Sequence, residues 1–384
     1  MQNKNTLNSN NLDNVKLNKK NVLIIIVTYN SEKFIEKCLF SIANQNYKNY
    51  FLLIIDNNSS DLTLKIIKDY KNAESRISNA NFKLICMKKN LGFSKAINYG
   101  VFKYFRKISK LNLDNFEYLA LVNPDMILDE DAIGNLILTF NLKNLQKNTQ
   151  SQNYLDPYLN QLFNNSLSFI NLDESNLDNV GVSGGMILDY STSNISHLGG
   201  KIQFNFITSH IKETQDINVK QILNKDVLNI KNKFSLINPD YVTGALFATK
   251  LDLFIKIGGF DEGYKPAYFE ELDYCLKLKK LNYDIVVNPL AFAWHFESSS
   301  LGKFTPKFYY YYHKNRIRCA IINSSFLKIL KIFFKNEIIW LKNNADKNQI
   351  KQLIKAYLIN FIYCLFYMII KLKNFIKISK LRNQ

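Results

Sequence analysis

Four short polar stretches are where this chain could do chemistry. Thr28-Tyr29-Asn30 follows the apolar run VLIIIV, Asp56-Asn57-Asn58-Ser59-Ser60-Asp61 follows FLLII, and Asn123-Pro124-Asp125 follows YLALV. The fourth, Glu270-Glu271-Leu272-Asp273, is an acidic run that opens a helical pattern. An Asx-rich turn at one strand end ordinarily does no more than close the turn. Three of them on consecutive strands are a different matter, because ligands of open α/β sheets bind beyond the carboxyl ends of the strands. Asp125 poses the question most sharply. Pro124 interrupts a buried strand, and the carboxylate that follows either caps the turn or faces a cleft and holds something there. Carboxylates at a helix start, such as Glu270 and Glu271, are favoured by the helix dipole whatever else they do, so what surrounds them decides their role.

The elements that must position these groups alternate. VLIIIVTYN, FLLIIDN (51–57), FKLICM (82–87) and YLALV read as strands. Between them lie helical patterns: one capped by Ser31 with Phe34, Ile35, Cys38, Leu39 and Ile42 on its apolar face, one beginning at Asp61, and one through Ala96, Ile97 and Val101. Such alternation predicts βαβ units and a mostly parallel sheet. Continuous apolar strands predict a sheet covered on both faces. Residues 1–20 are Asn- and Lys-rich and are expected to be a disordered tail. Residues 141–178 read as an insertion, GVSGGMILDY (181–190) restarts strand character, and from about 301 the chain becomes helical, aromatic and basic.

VLIIIVTYNSEKFIEKCLFSI, LLIIDNNSSD, NLGFSKAINYG and LVNPD, in that order, resemble glycosyltransferase family 2. The resemblance covers roughly residues 21–140 and 179–300 and is closest to rhamnosyltransferase-type members. It implies an α/β GT-A fold, a Rossmann-like nucleotide-diphospho-sugar transferase, with a catalytic domain over 21–300. Residues 21–140 would be the nucleotide-sugar-binding half and 179–300 the acceptor half, followed by a helical region over 301–384. It implies an inverting, metal-dependent transfer from a UDP- or dTDP-sugar, with dTDP-rhamnose suggested by the subgroup, to a glycan or polyprenyl-linked acceptor in bacterial surface polysaccharide synthesis. Asp125 matches the last acid of the family's D-x-D motif, and Asn123 stands where the first acid is usual. Asp125 and His295, the latter in Ala-Trp294-His295, would hold Mg2+ or Mn2+, hard cations that suit carboxylate oxygen and leave positions open for phosphates. Asp56 corresponds to the acid that recognises the base. Thr28, Tyr29, Asn30, Asn58, Asn90, Gly92 and Lys95 would line the donor site. Glu271 occupies the position of the base that takes the acceptor's proton; Asp is usual there, so Glu270 is a competitor. Asp273 and Trp294 would meet the acceptor, and Asp261, in GGFD, would be structural. In YYYYHKNR (309–316) two roles stay open for Arg316: packing on the catalytic domain or touching the donor.

Composition bounds the rest. The 384 residues carry 50 Lys and Arg against 32 Asp and Glu, a formal net charge of +18. This excess favours anionic partners, yet no nucleic-acid-binding module is recognisable. The five Cys are scattered and four His dispersed, which argues against a zinc site and a disulfide framework. A reduced cytoplasmic setting is expected. AYLINFIYCLFYMII (356–370) is flanked by lysines and short for a span; with FLKILKIFF (326–334) it suggests peripheral attachment to the inner face of the membrane. Helix packing or a homo-oligomer would use the same surface. Two rivals stand beside the transferase: a sugar-1-phosphate nucleotidyltransferase, which would want a glycine-rich loop where this chain has Thr28-Tyr29-Asn30-Ser31, and a non-catalytic nucleotide-sugar-binding protein.

Overall fold

The structure is a computed structural model that describes residues 22–73, 81–108, 113–142, 170–171, 179–212, 234–296, 305–344 and 347–383. The expected tail over 1–20 and most of the expected insertion over 141–178 lie outside these.

Strand β1 (Val22–Thr28) is followed by α1 (Ile35–Ala43), β2 (Tyr50–Asp56), α2 (Thr63–Ala73), β3 (Phe82–Cys86) and α3 (Phe93–Asn98), which widens into a looser helix over Tyr99–Ile108. Then come β4 (Tyr118–Val122), β5 (Met126–Leu128), α4 (Ala132–Leu138), β6 (Val180–Asp189), β7 (Ile195–His197), β8 (Gly200–Ile202) and β9 (Thr208–His210). The second half continues with β10 (Leu246–Lys250), α5 (Leu251–Ile257), α6 (Glu270–Lys279) and β11 (Asp284–His295). Nine strands form one sheet in the order β3-β2-β1-β4-β10-β6-β11-β5, with β7 paired to β6. The fold is the expected α/β sheet flanked by helices.

The parallel character is confined to part of that sheet. β3, β2, β1 and β4 run parallel, and so do β6 and β11, because helices lie between the parallel strands in the chain. β10 is antiparallel to both β4 and β6, and β5 is antiparallel to β11. Along β1 the side chains alternate between two cores: Leu23 and Ile25 pack on one face, Val22, Ile24 and Ile26 on the other. This is why the strand needs an unbroken apolar run. The helix after β1 starts later than Ser31 suggests. Phe34 and Ile35 donate their N–H groups to the Ser31 carbonyl, and the N–H of Ser31 itself bonds Thr63 Oγ1 at 2.7 Å.

Beyond the sheet lie α7 (Pro306–Asn323), α8 (Phe326–Lys331), α9 (Glu337–Asn344), α10 (Lys347–Ile362) and α11 (Cys364–Arg382). Thr305 caps α7 by accepting from the Phe308 N–H, with Pro306 at the first turn where no N–H is required. The two roles open to Arg316 are now resolved in favour of packing. It is fully buried and ion-paired with Glu337 at 2.5 Å, and it also donates to the Asn205 carbonyl at 2.6 Å. Removing one partner of a buried pair leaves the other charge uncompensated. Glu337→Ala is therefore expected to destabilise the protein by about 3–5 kcal/mol, measurable as a lower urea midpoint; an unchanged midpoint would refute this account of the joint.

Candidate active site

The site is assembled at the carboxyl ends of β1, β2 and β4, where the chain stops being apolar. In-register parallel pairing places Thr28 beside Asp56, and Thr28 Oγ1 donates to Asp56 Oδ1 at 3.0 Å. The Ser59 N–H and hydroxyl close the following loop onto the same carboxylate at 3.0 and 2.5 Å. Asp56 is thus fully buried, and what stands exposed around it is Tyr29, Asn30 and Asn58. Asn30 and Asn58 adopt left-handed backbone (φ 51° and 69°), a conformation Asn tolerates better than most residues.

The third strand brings in Asn90 and Gly92. Asn57 donates to Asn90 Oδ1 at 2.9 Å and accepts from the Leu91 N–H at 2.8 Å, while the Gly92 N–H also bonds Asn90 Oδ1. Gly92 has φ 81°, and a Cβ there would come within 3.1 Å of the Pro266 carbonyl oxygen. The position needs glycine both for its conformation and for the close approach.

Asp125 and His295 meet through sheet topology. β4 ends as the Asn123 N–H bonds the Ala245 carbonyl at 3.0 Å, Pro124 turns the chain, and β5 leaves for the far edge of the sheet. There His295 on β11 stands opposite Met126, and the Phe296 N–H bonds the Asp125 carbonyl at 3.1 Å. The result is His295 Nε2 at 3.2 Å from Asp125 Oδ1, both side chains partly exposed. Two ligands about 2.1 Å from one octahedral ion at right angles lie about 3 Å apart, so this carboxylate–imidazole pair fits a hard divalent cation. Among the described residues no group of three or more His, Cys, Asp or Glu side chains forms a metal cluster. Among the described residues, Asp125 and His295 would be the side chains that hold it, leaving positions open to phosphate and water.

The acidic pair is joined to this region through Gly244 and Ala245. Ala245 receives Asn123, and the Gly244 N–H donates to Glu271 Oε1 at 3.0 Å. Burial pushes the Glu271 carboxyl up to about 7, with the Gly244 N–H pulling the other way. Glu270 is only 2 % exposed, and its Oε2 has no hydrogen-bond partner. Burial first, then the neighbouring Glu271 charge, hold it well above the usual carboxylate range. Of the two, Glu271, bonded to the Gly244 N–H, is the carboxyl placed to accept a proton.

Residues 23–145 match the family described as Glycosyl transferase family 2. Over these residues the chain is similar to the family 2 glycosyltransferases. Rhamnosyltransferase WbbL of Escherichia coli (strain K12) is 23% identical, with 81% of this chain and 99% of that protein aligned. Poly-beta-1,6-N-acetyl-D-glucosamine synthase of Staphylococcus epidermidis is 26% identical over 111 residues, covering 29% of this chain and 23% of the relative. Several of the curated relatives are matched over only a small part of their length, 14% to 27% in three cases. Among solved structures, S. aureus TarS 1-349 in complex with UDP-GlcNAc aligns with a TM-score of 0.47 and 17% identity over 90% of this chain and 81% of that one.

Not every expected site residue joins the groups just described. Asp273, expected at the acceptor, is corrected to a structural role. It is fully buried, pairs with Lys277 at 2.7 Å and accepts from Asn323 at 2.6 Å and Tyr264 at 3.2 Å. Lying two residues after Glu271, it points about 200° away around the helix. Lys95 sits 3.7 Å from Glu262, both half-exposed. Trp294 alternates with His295 along β11 and packs on Phe292 at a ring separation of 5.4 Å. Asp261 receives Arg318 at 2.6 and 2.8 Å, in keeping with a structural part.

Three residues escaped the sequence reading. Gly244 is one; its signal is a glycine two residues before a strand in Thr-Gly-Ala. A Cβ there would stand 2.2 Å from Glu271 Oε1 and 3.0 Å from the Phe93 ring. Gly244→Ala is expected to cost about 1–3 kcal/mol through overpacking, read by chemical denaturation. An unchanged stability would show that Glu271 is free to move aside. Asn315 is the second: it donates to the Ala267 and Tyr268 carbonyls at 2.8 and 3.1 Å. Those bonds hold the loop where Tyr268 and Phe269 both adopt left-handed backbone (φ 81° and 77°), a conformation that costs aromatic residues on the order of 1–3 kcal/mol each. The packing of Tyr268 on Phe308 and Phe269 on Tyr312 adds to the restraint. Helix α7 thereby sets the entry of α6 and the direction of Glu271. The third is His197, buried beside His210 and accepting the Gly199 N–H at Nδ1. Burial, then the charges of His210 and His295, push it down to about 3, so it stays neutral.

Proposed function

We propose that this chain is an inverting, metal-dependent glycosyltransferase using a UDP- or dTDP-sugar donor, with a glycan or lipid-linked acceptor of bacterial surface polysaccharide synthesis. The observation that carries the reading is Glu271: a carboxylate held by the Gly244 N–H at 3.0 Å, raised to about 7, and linked through Ala245 to the Asn123–Asp125 turn.

In this reading the nucleoside lies over the exposed rim of Tyr29, Asn30 and Asn58. Asp56 holds Ser59 and Thr28 beneath it, and a base reaching Asp56 itself must displace Ser59. Asp125 and His295 would hold the divalent cation, which when bound neutralises charge growing on the leaving diphosphate. Glu271 accepts the proton of the acceptor hydroxyl as its oxygen bonds the anomeric carbon. The bond from that carbon to the diphosphate oxygen breaks, and a single displacement inverts the centre. Alignment with WbbL over nearly that protein's whole length favours a deoxyhexose donor such as dTDP-rhamnose.

The deciding experiment is a donor screen by nucleoside diphosphate release with Mg2+ or Mn2+ present. Release from a UDP- or dTDP-sugar, stimulated by an acceptor glycan, is the expected result. Release with no donor in the panel, or release of pyrophosphate from a nucleoside triphosphate and a sugar phosphate, would overturn it; the latter is nucleotidyl transfer.

A further inference from the structure

We propose that α8, α10 and α11 form a docking surface for an anionic lipid bilayer, with α11 lying in the membrane plane rather than crossing it. The inference stands apart from the proposed transfer reaction.

The inner side of α11 is built for protein contact. Tyr367 is buried under the Arg318 guanidinium at 5.2 Å, Lys371 donates to the Ser324 carbonyl, and Arg382 donates through Nε to the Lys280 carbonyl at 2.6 Å. The helix is thus fastened to α7 and the residue that caps it and, at its last turn, to the end of α6. Its outer side should then be polar; it is not. Leu365, Phe366, Met368, Ile369, Leu372, Phe375 and Ile376 all face outward, from 41% to 82% exposed. Phe361 and Ile362 of α10, and Phe326, Leu327 and Phe334 of the α8 segment, continue the exposed apolar surface. This many exposed large apolar side chains on neighbouring helices mark an interaction site.

Charge identifies the occupant. Residues 326–384 contain twelve Lys and Arg and two acids, Glu337 and Asp346, and Glu337 is buried against Arg316. Lys328, Lys331, Lys335, Lys373 and Lys380 are exposed on these helices beside the apolar residues. A second copy of the chain would bring the same positive surface against this one. A bilayer with anionic headgroups supplies the opposite sign and an apolar interior together.

Geometry argues for the in-plane arrangement. No single described helix is long and apolar enough to cross a membrane, and the pair α10 and α11 is bent by 67° at its junction. A straight crossing would break the bonds to Lys280 and Ser324 and the Asn360 bond to the Lys314 carbonyl at 3.0 Å.

The test is flotation of the full-length chain with vesicles of phosphatidylcholine alone and with added phosphatidylglycerol, at low and high salt. Full-length protein should float with the anionic vesicles, and binding should weaken as salt rises. The variant Leu365→Ser/Ile369→Ser/Leu372→Ser changes only exposed positions and should bind at least about tenfold more weakly, with its thermal melting retained. Lys373→Gln/Lys380→Gln should reduce the preference for anionic lipid by a similar factor. Failure of the full-length chain to float with anionic vesicles, or undiminished binding by the folded serine variant, would overturn the proposal. So would a dimer in light scattering that the serine variant dissociates, without vesicle binding, since the surface would then belong to a second copy. Nucleoside diphosphate release in the absence of vesicles reports separately on the transfer reaction.

Discussion

Glu271→Gln is expected to lower sugar transfer by about a thousandfold or more, the upper part of the range for losing a positioned general base. Gln keeps the length of the side chain and an oxygen that still accepts the Gly244 N–H, now at 3.0 Å, so the loop has no reason to move. What is lost is the ability to accept a proton. The pH profile gives the second reading. Burial raises the carboxyl to about 7, and the base works only when ionised. In the unaltered enzyme kcat/KM should fall about tenfold per pH unit below about 7 and level off above it. The variant should lose that acidic limb. Its thermal stability at pH 8 should be equal or higher, because the substitution removes a charge that burial disfavours. The sign follows from the raised folded-state pKa. Such a carboxyl binds its proton more tightly in the native state than when unfolded, so ionising it costs stability as pH rises through this window. Near-normal turnover in Glu271→Gln would place the base elsewhere, and Glu270→Gln would then be the variant to examine.

Asp125→Ala is expected to reduce transfer by about a thousandfold, the scale of losing several kcal/mol of charge stabilisation on a leaving diphosphate. With Asn123 contributing no charge at the start of the turn, Asp125 is the carboxylate that, among the described residues, meets His295, 3.2 Å away. Its loss should therefore also abolish Mn2+ binding, measured by titration in the presence of UDP and read by electron paramagnetic resonance. Chelation with EDTA should silence the unaltered enzyme, and added Mn2+ should restore it without restoring Asp125→Ala. His295→Ala should weaken Mn2+ binding less, because imidazole is the softer donor for these ions. Transfer insensitive to EDTA, or Mn2+ binding undiminished in Asp125→Ala, would remove the cation from the reading.

Much of the first half of the sheet is legible in the sequence itself. Thr28, Asp56 and Asn123 lie at the ends of strands whose apolar runs demand burial on both faces, and parallel in-register pairing then leaves little freedom in how those ends align. Asp273 shows where such legibility stops. In sequence it is one of three acids within four residues; in space the helical period turns it into the core beside Lys277 and Asn323. Arg316 similarly has the chemistry to meet a phosphate and is instead buried against Glu337. Types and spacings identify groups able to do chemistry, but burial decides which of them are occupied by the fold.

The local grammar of this chain therefore determined its strands, its helices and the order of its polar turns, because side-chain periodicity and strand-stopping residues act over a few positions. Only the tertiary structure decided that His295 meets Asp125, that Gly244 aims Glu271, that Asn315 restrains the loop before it, and that apolar side chains of α11 are left exposed. Each of these depends on pairing between segments distant in the chain. Such pairing is selected by the packing of the whole sheet and its helices, which no short stretch of sequence contains.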